Sequence, residues 1–134
     1  ADPGRGHAVL MSADVLGVIR VTDLMIADVS SVSLDHLYLR PDSPLVLCDR
    51  RSDRARLLED APVASGAQVV DGSTVGTLTE DLGSLLAEDH LRRRRHELRD
   101  LYFDSLAPGE STDRFFEEIP VELTRLGRFV KLHT

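Results

Sequence analysis

The sequence predicts an α/β domain in which a short parallel sheet is flanked by helices and followed by a helix-rich C-terminal part. Three short apolar runs, at 24–27, 45–48 and 67–70, have the length and composition of buried strands. Helical patterns separate them, as expected for parallel strands joined by right-handed crossovers. After residue 77 the apolar residues recur mainly at helical spacing, so helices should dominate the second half.

Length and composition fit one folded unit. The chain has 134 residues, and 42% of them are hydrophobic, which is enough to build a core. We expect a loose N-terminal segment or an artificial boundary at 1–12, an α/β domain at 13–127 and a C-terminal tail at 128–134.

The first elements surround the most informative stretch of the chain. A short strand is expected at 7–11, and Ser12 is a plausible N-cap for a helix to about Arg20. The strand at 24–27 is followed by a polar turn and a helix that ends near residue 39, before two prolines.

The remaining elements follow the same reasoning. After the strand at 45–48, a short helix is expected at about 53–58, and a loop at 62–66 precedes the third strand. Thr77 and Glu80 match a capping box for the next helix. Two further helices are expected. The first runs from about 90 to 106, and its apolar stripe consists of Leu91, Leu98, Leu101 and Tyr102. The second is capped by Ser111 or Thr112 and ends near 126.

Charge and aromatic content argue against nucleic-acid binding. The net charge is −7, the pI is near 5.1 and only 4% of residues are aromatic, so the chain lacks both a basic face and a stacking platform. The one basic cluster, 92–95 with Arg99, is interrupted by acids, which favours a solvated, salt-bridged face. Contact with acidic lipid head groups is the alternative.

Several classes of site are disfavoured by what the sequence lacks. The single Cys48 excludes an intrachain disulfide and fits a reducing compartment, and its place at the end of an apolar run favours a buried structural thiol over a nucleophile. The five histidines show no convincing metal-ligand spacing, and no glycine-rich nucleotide motif or nucleophile elbow occurs. We therefore expect no metal and no cofactor. With no apolar run near 18 residues, we expect a cytoplasmic protein, with peripheral contact at the inner face of the membrane left open.

The turn after the second apolar run is the first candidate binding site. Asp28 ends the strand, and Ser30 and Ser31 stand where the next helix begins. Free N–H groups at a helix start can bind a phosphate, but serines there also act as simple caps, and the residues leave the two roles about evenly matched. Asp35 lies one turn further on; its alternative role is a salt bridge or solvent exposure.

Arg114 is the second candidate. It falls in the first turn of the last expected helix, where a cation opposes the helix dipole. An arginine at that position can serve an anion together with the helix end, and the alternative is an exposed pair with a neighbouring glutamate.

Two stretches resemble the CDP-glycerol glycerophosphotransferases, the teichoic-acid primases and polymerases of bacterial cell-wall synthesis. The segment 24–35 is similar to their strand-Asp-x-Ser-Ser signature, and 108–114 is similar to their closing Asp-Gly-x-x-Ser-Glu-Arg motif. In the second motif this chain has other residues at three positions: Pro108, Thr112 and Asp113. The resemblance covers roughly 13–118.

The resemblance implies a fold and a role for each site residue. These enzymes have two Rossmann-like halves of the GT-B glycosyltransferase type, and this chain is similar to the C-terminal, donor-binding half. The implied diphosphate ligands are Ser30, Ser31, Thr112 and Arg114, with Ser111 beside them and Asp28 and Asp35 shaping the turn or meeting the cytidine-glycerol. The family's general base lies on the N-terminal half, so no residue here is assigned a catalytic role, and the family's His-Pro element has no counterpart.

Three hypotheses follow. The first is a donor-binding domain for a CDP-glycerol-like, nucleotide-activated polyol phosphate, inactive alone. Its partner would be an N-terminal half or a second copy. The second is a non-catalytic α/β interaction module, and the third is a GT-B transferase or epimerase that uses a UDP-sugar.

Overall fold

A three-stranded parallel sheet forms the centre of the computed structural model, which describes residues 6–107 and 109–131. The strands are β1 (Met25–Asp28), β2 (Leu45–Cys48) and β3 (Gln68–Val70), in the order β1-β2-β3. Met25 lies opposite Leu45, and Val46 lies opposite Gln68. The α/β class, the parallel sheet and the strand positions expected from the sequence are confirmed.

Six α-helices accompany the sheet within the described residues. They are α1 (Val15–Ile19), α2 (Ser31–Leu39), α3 (Arg54–Asp60), α4 (Leu78–Ala87), α5 (Arg92–Phe103) and α6 (Glu110–Lys131). Two 3₁₀ turns, Pro62–Gly66 and Val75–Thr77, precede β3 and α4.

The two faces of the sheet are covered unequally. On one face, Leu45 and Leu47 of β2 are fully buried in a core that contains Leu37 of α2, Leu57 of α3 and Leu98 of α5. Side chains alternate between faces along a strand, so the residues between them lie on the other face. That face has a smaller core, made of Val46, Val70 and Leu85 with three half-buried leucines, and Ile26 of β1 remains exposed.

α5 packs against the 3₁₀ turn Pro62–Gly66 around a buried arginine. Arg95 is fully buried and forms an ion pair with Asp89. Its guanidinium also donates to the carbonyl of Pro41 at 2.9 Å and to that of Gly66 at 3.3 Å. A solvated face was therefore the wrong expectation for Arg95, because a carboxylate and two carbonyls satisfy the buried charge.

Arg92, Arg93 and Arg94 are exposed, as expected, whereas Arg99 is half-buried and donates to two main-chain carbonyls. Arg92 pairs with Asp42 at 2.7 Å, and Arg93 and Arg94 pair with Glu97 at 3.1 and 3.2 Å.

Several other expectations are wrong at the level of elements. Residues 7–11 form no strand in the described structure, and the cap of α1 is Asp14, whose carboxylate accepts from the Leu16 N–H at 3.1 Å. Of the expected α5 stripe only Leu98 is buried, while Leu101 is exposed because the helix meets the core along one narrow line.

The caps and ends in the C-terminal half also differ. Thr77 precedes α4, but its hydroxyl bonds Thr74 O and Asp81 instead of completing a capping box. The last helix begins at Glu110, so Ser111 and Thr112 lie inside its first turn rather than capping it. It extends to Lys131 and takes in part of the expected tail; 132–134, like 1–5 and Pro108, lie outside the described residues.

Candidate functional site

The start of α2 presents open hydrogen-bonding groups at the carboxyl end of β1. Ser30 is the N-cap residue with extended backbone, but its hydroxyl makes no capping bond to a described residue. Instead, the Ser33 N–H and hydroxyl both donate to the Ser30 carbonyl, at 3.2 and 2.6 Å. Ser31 is exposed, and by helix geometry its N–H has no acceptor within α2. These groups could bind an anion, as the sequence indicated.

Asp28 is the last residue of β1, two residues before Ser30, at the carboxyl edge of the sheet. It lines a shallow depression of about 270 Å³ together with Cys48 and the loop after β2. Asp49 shapes that loop, because its buried carboxylate accepts the N–H groups of Arg51 and Asp53, both at 3.0 Å. Cys48 is exposed, which corrects the expectation of a buried thiol: its side chain falls on the less covered face, beyond the end of the strand's buried run.

The order of the strands decides whether a ligand crevice opens at this edge of the sheet. Ligands of open α/β sheets bind where the strand order reverses and the crossovers diverge. The described sheet runs β1-β2-β3 without reversal, and α2 and α3 contribute to the same core. The edge near Asp28 therefore lacks the crevice that such a reversal opens.

A cavity of about 420 Å³ brings the two predicted motif regions together. Asp35 of α2 and Ser111 of α6 both line it. The other lining residues are mostly aromatic or apolar, with one further acid; they are Tyr38, Tyr102, Phe103, Asp104 and Leu106. Tyr38 and Phe103 stack at a tilt, with ring centroids 4.9 Å apart.

The turn between α5 and α6 is tied to α2 around this cavity. The Tyr38 hydroxyl donates to the carbonyl of Ala107 at 3.3 Å. Arg99 donates to the Tyr38 carbonyl at 3.3 Å and to the Leu106 carbonyl at 2.8 Å, and its guanidinium carbon stands 5.3 Å from the centre of the Tyr38 ring. These bonds hold Ser111 close to α2 although α6 itself packs little against the sheet.

Arg114 already has a partner at the rim. Its guanidinium contacts the Asp104 carboxylate at 2.9 Å, and both side chains are exposed. This pair replaces the glutamate pair that the sequence suggested as an alternative to anion binding. Thr112 is exposed, and its N–H donates to the carbonyl of Gly109 at 3.0 Å.

The predicted site residues thus form two groups. Asp35 and Ser111 line the cavity, and Arg114 lies beside it through its ion pair with Asp104. Ser30 and Ser31 lie roughly one helical turn before Asp35. Asp28 belongs to the separate depression at the sheet edge.

The cavity suits polar and aromatic ligand groups better than a metal. Two carboxylates can accept hydrogen bonds from hydroxyl or amino groups, and the tyrosines offer faces for stacking. In the described part of the chain, no three acidic, histidine or cysteine side chains come together as metal ligands.

Sequence reasoning missed the residues that build the cavity. Tyr38, Arg99 and Asp104 act through contacts between α2 and the turn after α5, which no local pattern encodes. The one available signal was Tyr102-Phe103 at the end of an arginine-rich helix, since adjacent aromatics there are suited to line a pocket rather than a single core face.

His36, next to Asp35, is fully buried within α2. Its Nε2 lies 3.1 Å from the carbonyl of Ser43 and must donate to it, so Nδ1 is an acceptor, and it has no partner among the described residues. Burial lowers the pKa of His36, and the charges of Arg95 and Arg40 lower it further. The hydrogen bond to the Ser43 carbonyl raises the pKa, but by less than burial lowers it. His36 therefore has a structural role and does not serve the cavity as a proton donor.

Within the described residues, no helix combines the length and the apolar character that a membrane crossing requires. No family model, curated protein or solved structure matches this sequence.

Proposed function

We propose that this chain is the donor-binding unit of a GT-B-type glycerophosphotransferase that acts in teichoic-acid or related polymer synthesis. Its ligand would be a nucleotide-activated polyol phosphate such as CDP-glycerol. The observation that supports this most is that Asp35 and Ser111, taken from the two motifs, line one cavity. The motifs are far apart in sequence, and a chance likeness would give no reason for them to meet.

The nucleoside would lie in the cavity. Tyr38 and Tyr102 offer aromatic faces on which a pyrimidine can stack. The carboxylates of Asp35 and Asp104 would accept hydrogen bonds from ribose hydroxyls and from the cytosine amino group.

The diphosphate would lie outside the cavity, toward the start of α2. Two carboxylates in the cavity repel phosphate, whereas the first N–H groups of α2 and the hydroxyls of Ser30 and Ser31 attract it. In this arrangement Arg114 exchanges Asp104 for a phosphate oxygen when the donor binds. The exchange costs little, since the Arg114–Asp104 pair is solvent-exposed.

Binding to the full chain tests the proposal. We expect CDP-glycerol to raise the melting temperature and to shift amide resonances in α2 and at the start of α6. UDP-glucose and a GDP-sugar serve as the comparison donors. Unchanged resonances and an unchanged melting temperature at saturating CDP-glycerol would refute the proposal, and tighter binding of UDP-glucose would favour the sugar transferase instead.

Variants around the cavity test the arrangement. Arg114→Ala should weaken CDP-glycerol binding roughly tenfold, because a charge-assisted hydrogen bond is lost. Asp104→Asn keeps an acceptor oxygen for the nucleoside and should tighten binding a few-fold by releasing Arg114. Arg125→Ala is the matched control, an exposed arginine further along the same helix that should leave binding unchanged. If Asp104→Asn weakens binding as much as Arg114→Ala does, the exchange of partners is wrong.

A further inference from the structure

The outer side of β1 is the more accessible of the two edges of the sheet. In the described structure β1 pairs with β2 alone, so its other side has no neighbouring strand. At the opposite edge, Val69 and Val70 of β3 are buried, one in each core. In β1, by contrast, Ile26 is 47% exposed and Asp28 is exposed as well. The β1 side is therefore where a further strand can be added.

The backbone of β1 shows which groups such a strand would meet. The Met25 N–H donates to the Pro44 carbonyl at 3.0 Å, so the N–H and C=O of Met25 face β2. Backbone groups alternate in direction along a strand, so those of Ala27 also face β2 and those of Ile26 face the open edge. Outward-facing backbone donors and acceptors are what an added β-strand recognises.

Apolar side chains flank the open edge on both faces of the sheet. Ile26 lies beside Val46, on the face of the smaller core. On the other face, Met25 lines a small apolar cavity together with Val15 and Val18 of α1, which are both exposed. β1 contains neither the lysine nor the proline that commonly keeps an edge strand from pairing. A strand beside β1 would thus have apolar neighbours above and below.

We propose that β1 pairs with β1 of a second copy of this chain in antiparallel orientation, which joins the two sheets into one of six strands. The two-fold axis passes between Ile26 and Ile26 of the second copy. Each Ile26 donates its N–H to the carbonyl of the other, because both backbone groups face outward. The two isoleucine side chains lie on the same face, where they extend the smaller core across the axis.

The edge is complementary to itself under this symmetry. With Ile26 at the centre, Asp28 lies opposite Leu24 of the second copy, and the two Asp28 residues lie at opposite ends of the pair, roughly 13 Å apart along the strands. No like charges within β1 are therefore brought directly opposite each other. The axis is perpendicular to the sheet, so α1 of both copies lies on the same face of the joined sheet.

The short strand and the net charge indicate a weak, reversible dimer. β1 has only four residues, and each copy carries a net charge of −7, so the two copies repel each other at long range. We expect a dissociation constant of roughly 100 µM in dilute buffer. Raising the ionic strength to about 0.5 M should tighten it several-fold by screening this repulsion.

Hydrogen exchange at single amides tests the pairing in the full chain without nucleotide, and therefore independently of the proposed function. In dilute protein the Ile26 N–H should exchange rapidly, whereas the Ala27 N–H, which faces β2, should be protected. Between about 10 µM and 1 mM the Ile26 N–H should gain protection several-fold. Over the same range, sedimentation should show the apparent mass rising from 14.8 kDa toward twice that value.

Variants at the centre of the pair separate strand pairing from general association. Ile26→Pro removes an outward N–H that the β1–β2 ladder does not use, and it should weaken association at least tenfold. Ile26→Lys, which keeps the backbone N–H, should weaken it by a similar factor because it places two cations opposite each other across the axis. Val75→Lys is the matched control, since Val75 is exposed and lies beyond β3, away from the β1 edge. Circular dichroism checks that each variant remains folded.

Four results would overturn the proposal. They are a chain that stays monomeric up to about 1 mM, open-ended oligomers, an Ile26 N–H that is equally protected at every concentration, and equal loss of association from Ile26→Lys and Val75→Lys. Unfolding of Ile26→Pro would leave Ile26→Lys and the exchange of the Ile26 N–H to decide.

Discussion

Arg95 is the residue on which the packing of α5 depends most. It is fully buried, and its guanidinium serves Asp89 and two main-chain carbonyls. Arg95→Met would keep much of the side-chain volume but leave those three acceptors without a donor. We expect it to lower the free energy of unfolding by about 3 kcal/mol, measured by urea denaturation. Arg93→Met, at an exposed position of the same helix, should change it by less than about 0.5 kcal/mol. Equal effects of the two substitutions would mean that the buried ion pair is not what stabilises α5.

His36 should make stability depend on pH. Its pKa in the folded chain is lowered by burial and by the nearby Arg95 and Arg40, whereas in the unfolded chain it returns to about 6.5. The unfolded state therefore binds the proton first, and stability is complete above about pH 6.5 and falls as the pH is lowered below it. The slope contributed by this one group is at most about 1.4 kcal/mol per pH unit.

The measurement is the melting temperature of the chain between pH 7.5 and 5. His36→Gln should flatten the decline, while His90→Gln, at an exposed position, should leave it unchanged. If the slope survives in His36→Gln, other groups cause it.

At the scale of single residues, the sequence was least informative about which side chains are buried. Cys48 and Arg95 both contradict the averages for their residue types. Cys48 is exposed because it ends β2 on the thinly covered face, and Arg95 is buried because Asp89 and two carbonyls surround it. These are tertiary relations between distant segments, so no local pattern could have predicted them. The start of α2 at Ser30 was predicted because a helix start depends on neighbours in sequence, although the Ser30 hydroxyl makes no capping bond to a described residue.

Among the elements, α5 packs tightly against the 3₁₀ turn Pro62–Gly66. A Cβ on Gly66 would lie 2.8 Å from Leu98 Cδ1 and 3.0 Å from Arg95 Cγ, and both side chains are fixed in the core. We expect Gly66→Ala to destabilise the chain by about 1–3 kcal/mol in thermal unfolding, since α5 must move away. Gly83→Ala is the opposite control: Gly83 is helical with open space around it, and alanine should stabilise α4 by up to about 1 kcal/mol. A neutral Gly66→Ala would show that α5 can shift without loss.

Element types were well predicted and element ends less so. Strands and long helices follow from apolar periodicity, which is local in sequence. The start of α6 at Glu110 depends instead on the tight turn before it, where Asp104 and Ser105 adopt left-handed backbone. That turn also sets where Ser111 meets Asp35, so the cavity could not be located from the motifs alone.

For the whole molecule, the unequal covering of the two sheet faces predicts that backbone amides differ in their protection from hydrogen exchange. β2 is the central strand and is buried on both faces over Leu45, Val46 and Leu47, while α6 contributes few contacts to either core. Native-state hydrogen exchange should therefore show the slowest amides in β2, near the global free energy of unfolding, and much faster exchange in α6 of dilute protein. Equal protection of β2 and α6 would argue against this difference between the layers.

The order of the strands also has a kinetic consequence. Met25 pairs with Leu45 and Val46 with Gln68, so each strand needs only the next one along the chain, about twenty residues away. Parallel sheets usually fold slowly, because closing long loops costs entropy before any pairing is gained. Here the segment between each pair of neighbouring strands is short, so no strand depends on a partner far away in the sequence. The sheet can grow from its N-terminal edge while the ribosome is still making α4 and α5, which complete its cover.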